Sequence, residues 1–143
     1  MNTHKKTKKE REKTMFTLIR KDEGYLPAAE FLPGKASESY TLGEALVLSA
    51  GSVTACGDTQ TPQYIAMESI TVPESGSADI YVMPVAHNAV YRTTNSAALT
   101  TVPIGSKVTL ANAVQVTATT TSGVATIVYK SGDAAGSEIH VKF

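Results

Sequence analysis

A chain of 143 residues makes one domain, with room for an arm or tail, and buries roughly two thirds of its unfolded surface in a single core. The lone cysteine, Cys56, excludes an internal disulfide framework, and an apolar share of 42% without Trp, rich in Thr, Ser, Val and Ala, favours strands over helices. The zero net charge hides a split: Lys5, Lys6, Lys8, Lys9, Arg11 and Lys13 against Glu10 and Glu12 give residues 1–14 a charge of +4 and leave −4 on the rest, which argues against a basic nucleic-acid-binding face on the domain.

The first segment, "MNTHKKTKKEREKTM", has three readings. One is a flexible basic arm that binds nucleic acid or an acidic surface. The reading adopted is a disordered leader, residues 1–14, with no apolar side chain to dock. The third notes that Glu10-Arg11-Glu12 can be encoded entirely by purines a short spacer before Met15, as in a translated ribosome-binding site with Met15 as the start. "MFTLI" is too short for a signal-peptide core, and no run approaches a membrane span, so a product made in the cytoplasm is expected.

Residues 15–41 are expected to form an extended, largely irregular arm. "FTLIR" is β-prone, but Gly24, Pro27, Pro33 and Gly34 discourage both helix and central strand over the rest of the segment. The same stretch carries Phe16, Leu18, Ile19, Tyr25, Leu26, Phe31 and Leu32. An irregular but apolar arm wants a surface, either its own domain or a partner. In the partner reading, Met15 to Arg20 adds as a strand to the partner's sheet edge, the other apolar side chains fill pockets beside it, and residues 15–35 can be removed without unfolding the domain.

From residue 42 to 143 the chain reads as short strands at regular spacing with turn signals between them, the pattern of a small antiparallel β-barrel or sandwich. "EALVLSA", "SVTA", "QYIAMESITV", "ADIYVMPVA", "AVYRTT" and "KVTLANAVQVTATT" come in order. "TTSG" and "SGDAAG" are read as hairpin turns into "VATIVYK" and "EIHVKF". The last strand alternates strictly, Ile139, Val141 and Phe143 inward and Glu138, His140 and Lys142 outward, and is expected to close the barrel. "ADIYVMPVA" breaks the alternation: Ile80 and Val82 share one face, and Tyr81, Met83 and Val85 share the other. Either both faces are covered within the domain or the second meets another subunit. The oligomer contact is the working expectation, with Pro84 suiting an edge strand.

Groups for chemistry are thin. His4 lies in the leader, His87 beside Asn88 in a turn, and His140 on the polar face of the last strand; none has metal-ligand spacing, and Cys56 has no CxxC or Cys-His partner. Asp58 in "CGDTQTP" and Asp133 in "SGDAAG" sit in ordinary turn contexts. No phosphate-binding glycine motif is present. No catalytic residue, metal or cofactor is therefore assigned, and a β-rich enzyme built on Asp58 or His87 is the weakest alternative.

The order of segments adds a resemblance. Gly43-Glu44-Ala45-Leu46, Thr61-Pro62-Gln63-Tyr64-Ile65, Ile104-Gly105 before a strand, and Ser122-Gly123-Val124-Ala125 running into Val141-Lys142-Phe143 are similar to the small head-decoration, or capsid-stabilising, proteins of tailed bacteriophages, over Leu42 to Phe143. The resemblance implies a structural virion protein on the outer capsid surface, a homotrimer whose partners are itself and the major capsid protein, with no specific nucleic acid and no membrane. A carbohydrate-binding or adhesin-like β module, using Tyr64, Tyr81, Tyr91 and Tyr129, is the alternative.

Overall fold

The computed structural model describes residues 14–22, 24, 28–75 and 77–143. Runs of β-branched and aromatic residues cut short by Gly, Pro and Asp turns favour strands, and every regular element among the described residues is one. In chain order they are β1 (Thr17–Lys21), β2 (Glu30–Pro33), β3 (Ser39–Tyr40), β4 (Ala45–Ser49), β5 (Ser52–Ala55), β6 (Tyr64–Ala66), β7 (Ile70–Thr71), β8 (Asp79–Pro84), β9 (Ala89–Thr94), β10 (Lys107–Val108), β11 (Leu110–Ala111), β12 (Gln115–Val116), β13 (Ala125–Lys130) and β14 (Glu138–Lys142).

Two five-stranded sheets carry the architecture, with orders β1-β9-β14-β13-β10 and β2-β8-β6-β4-β5. Two short ribbons, β3–β7 and β11–β12, flank them. All named pairings are antiparallel. Of the two architectures expected, this is sandwich-like and not a closed barrel. The second sheet does curl, so that its outer strands meet at one parallel bridge, Gly34 to Val53.

Alternation along the strands divides the interior in two. Tyr91, Ile127, Ile139 and Val141 of the first sheet meet Ala45, Val47 and Ile65 of the second in the main core. On the opposite face of the second sheet, Leu46, Val53, Ala66, Ile80 and Val82 pack with Tyr40 and Val72 in a smaller core beside the β3–β7 ribbon. The Tyr40 hydroxyl donates to the Val53 carbonyl and accepts from the Lys35 N–H, tying that ribbon down. Tyr40 thus has both ends satisfied in an otherwise apolar pocket.

This two-sided burial explains the strand that is apolar on both faces. β8 lies inside the second sheet, between β2 and β6, so Pro84 does not mark an edge; it is the last residue of the strand, opposite Tyr64. Ile80 and Val82 enter the small core, while Met83, opposite Ile65, is half-buried toward the main one.

The segment expected as a separable arm is woven into both sheets. β1 pairs with β9, and Phe16, 2% exposed, belongs to the main core. β2 pairs with β8, and Leu32 packs on the small core. Apolar residues at Phe16, Leu18 and Leu32 bury their surface at home, so removing residues 15–35 takes an edge strand from each sheet and should destabilise the domain.

The last strand holds a central place, with β9 on one side and β13 on the other, and does not close a barrel. Ile139 and Val141 are fully buried, and the ring of Phe143 stands edge-on to Phe16 at 5.2 Å and 5.3 Å from Tyr91. The "SGDAAG" segment does join a hairpin, β13 to β14. "TTSG" does not: β13 pairs with β10 across the first sheet, and β12 pairs with β11. Gly123 lies so close to the Lys107 backbone that any Cβ there would collide with it, which is why the chain crosses at a glycine.

Candidate docking site

The two sheets do not cover one another completely. The first sheet ends at β1, an edge strand whose register slips between Leu18 and Arg20, leaving Ile19 bulged and partly exposed. Beneath that edge the sheets are stitched at one point: the Phe16 N–H donates to the Gly43 carbonyl (2.9 Å), and the Gly43 N–H donates to the Ala66 carbonyl (2.8 Å). Gly43 has φ of +83°, and a Cβ there would run into Met15, so only glycine closes the stitch.

Around the stitch the sheets gape. A cavity of about 380 Å³ opens there, with Ile65, Met83 and Tyr91 as its floor and Met15, Leu18, Leu42 and Met67 among its walls. Tyr91 offers it only a ring wall, because its hydroxyl accepts the Ala86 N–H at 3.2 Å and burial raises its pKa. Three of the chain's four methionines line this groove. Unbranched, polarisable thioethers suit a surface that adapts to apolar side chains of more than one shape.

The groove continues into an aromatic ledge. Phe31 on β2 and Tyr81 on β8 are register partners with ring centroids 4.9 Å apart, and they remain 63% and 37% exposed. Tyr81 is fixed from behind: its N–H donates to Glu68 Oε1 at 2.9 Å and its carbonyl accepts the Met67 N–H at 2.8 Å. Met83, two residues further along the same strand face, leads from the ledge to the groove floor.

The residues singled out from sequence therefore divide. Phe31, Tyr81 and Met83 come together in the ledge and groove, with Leu18 in the wall. Val85 is half-buried and packs on the main core, as does Leu18. Phe16 lines the groove from within the core, Leu32 faces the small core, and Ile19 is exposed on the bulge. Tyr25 and Leu26 lie outside the described residues. Met15 and Met67 were read within strands and Leu42 at the start of the β-domain, but all three lie outside the strands that form, so no strand period assigns them to the groove.

The candidates for chemistry stay apart. Cys56 is buried, donates to the carbonyls of Gln60 (3.1 Å) and Gly57 (3.4 Å), and has its pKa pushed up to about 12 by burial and by Asp58. Such a thiol is not a nucleophile near neutral pH. It should resist a thiol-specific disulfide reagent in the native protein and react at once in urea; rapid native labelling would contradict this burial. Asp133 pairs with Lys130 at 2.8 Å, and His140 with Glu138 at 3.0 Å. His87 is exposed. Among the described residues no group of three His, Cys, Asp or Glu is placed to hold a metal.

One buried acid gave no signal in the sequence. Glu44, in the run "LGEALVL", is 9% exposed; its Oε2 has no hydrogen-bond partner, and burial together with the nearby Glu38 raises its pKa to about 7. Glu38 itself is held by Thr54 Oγ1 (2.6 Å) and the Ala55 N–H (3.1 Å).

No family model and no curated protein matches the chain. Among solved structures, the head fiber gp8.5 N base of bacteriophage phi29 is similar, with a TM-score of 0.52 over 81% of this chain and 94% of that one. The chain has the fold of a phage head-fiber base. At 12% identity the likeness is one of backbone architecture, without shared site residues to carry across.

Proposed function

We propose that this protein is a structural component of a bacteriophage head, a decoration protein that binds the outer surface of the assembled capsid as a trimer, grips neighbouring copies of the major capsid protein and stabilises the shell. The observation that carries the reading is the fold similarity, which takes in nearly the whole of the head-fiber base. The segment resemblance to head-decoration proteins and the exposed aromatic ledge support it from independent directions. A ligand that binds only the assembled shell stabilises it by mass action, and three linked copies gain avidity without stronger single contacts. The role asks for no catalytic step, cofactor, nucleic acid or membrane. In this reading Ile19, Phe31 and Tyr81 are shell-contact residues, and the chain is made in the host cytoplasm before it joins the virion.

The test is co-sedimentation of the purified chain with emptied, undecorated phage shells, alongside light scattering of the free chain. Saturable binding to assembled shells but not to free capsid subunits, and a mass of three copies, are expected. Absence from every shell fraction overturns the reading.

A second reading, a carbohydrate-binding module, is favoured by one row on the outer face of the first sheet. Thr17, Arg92, His140 and Tyr129 are register neighbours on four successive strands, and Tyr129, 44% exposed, lies 4.6 Å from the His140 ring. Glycan-array binding without affinity for shells would select it.

A further inference from the structure

We infer that the methionine-lined groove and its aromatic ledge receive an extended apolar segment of a partner protein, flanked by acidic residues and laid along the free edge of β1. The shape of the groove sets the form of the occupant. The Phe31–Tyr81 ledge of the second sheet stays exposed beside the groove, and β1 is the edge of the first sheet there. Where the stitch at Phe16, Gly43 and Ala66 ends, β1 has no further strand beside it among the described residues. An incoming extended chain can therefore take up main-chain hydrogen bonds while alternate side chains drop between Met67, Met83 and Leu42. The volume, about 380 Å³, is at the lower end of the roughly 300–1,000 Å³ typical of ligand pockets.

Charge selects the kind of partner. The edge carries Arg20 and Lys21, with Lys142 nearby; one acid, Asp22, pairs with both Arg20 and Lys142, so cations outnumber acids there. Two copies meeting edge to edge would oppose these cations, which disfavours a second copy of this chain as the occupant. A strand with acidic flanks meets the cations favourably, while Glu30 and Glu68 beside the ledge restrict where its own acids can lie. The partner's identity as a shell subunit rests on the function proposed above; its chemistry rests on the groove alone.

The experiment uses the full chain with its methionine methyls labelled for NMR, titrated with a capped octapeptide alternating Val or Leu with Glu. A matched peptide with Lys in place of Glu and a shell co-sedimentation assay run in parallel. Saturable shifts of the Met15, Met67 and Met83 methyls, about tenfold tighter for the acidic peptide, are expected. Phe31→Ala, a change at an exposed position that leaves the fold intact, should weaken peptide binding about tenfold, and Met83→Gln should do the same from the groove floor. No shift with the acidic peptide, equal binding of the basic one, or concentration-dependent methyl shifts without peptide, as a second copy would give, overturns the inference. Shell binding without peptide binding overturns it while sparing the proposed function. Peptide binding without shell binding upholds it and removes that function.

Discussion

A chain ending at Glu138 should not fold. The missing strand pairs on both sides, at Thr93, Arg92 and Tyr91 of β9 and at Thr126, Ile127, Tyr129 and Lys130 of β13, so its loss splits the first sheet into two halves with unpaired inner edges. Ile139 and Val141 are fully buried, and each contributes ~1.5–3 kcal/mol by leaving water; Phe143 adds part of that through Phe16 and Tyr91. That total rivals the ~5–15 kcal/mol by which a domain is usually stable, before the exposed backbone is counted. Far-UV circular dichroism of the truncated chain should show loss of the β signal, and the milder Ile139→Ala should cost ~2–5 kcal/mol by urea unfolding. A cooperative native-like transition in the truncated chain would mean that β9 and β13 can pair without it.

That strand was the most legible element because period-two alternation reports directly on burial of one face. The "IYVMPV" strand was legible only as a puzzle. Its two apolar faces, at Ile80 and Val82 and at Tyr81 and Met83, are equally what an interior strand between two cores and a subunit interface would show. Periodicity sees burial but not who supplies the cover. The β3–β7 ribbon, two residues on each side, is too short to leave a pattern at all, and it is what covers the small core. The segment from Phe16 to Pro33 misled for a related reason: Gly and Pro marked it as irregular, but Gly24 lies between the strands and Pro33 ends β2, an edge strand, where a sheet tolerates proline. The groove was invisible because Met15, Leu42 and Met67 converge from outside the strands, a tertiary fact no local spacing records.

Glu44 turns a buried acid into a pH dependence of stability. Its carboxyl is neutral up to about pH 7 in the folded chain but ionises at its ordinary value of 4.5 when unfolded. Between those limits the folded state holds a proton that the unfolded state has released, so the Glu44 contribution to stability is greatest below about pH 4.5, falls as pH rises toward 7, and levels off above it. The drop is ~3 kcal/mol, a sizeable part of a domain's total. The physical causes are desolvation of a carboxylate whose Oε2 has no donor, and then repulsion from Glu38. Asp22, whose pKa is lowered chiefly by its hydrogen bond to Lys142, acts in a separate range, losing its contribution only as pH falls through the low end. Glu44→Gln mimics the protonated acid and should match the parent near pH 4.5 while unfolding at higher urea at pH 8, flattening the profile between them. Glu38→Gln should shrink the drop without removing it, because desolvation at Glu44 remains. Equal midpoints for the parent at pH 5 and pH 8, or an undiminished slope in the Glu44→Gln chain, would place the ionisation elsewhere.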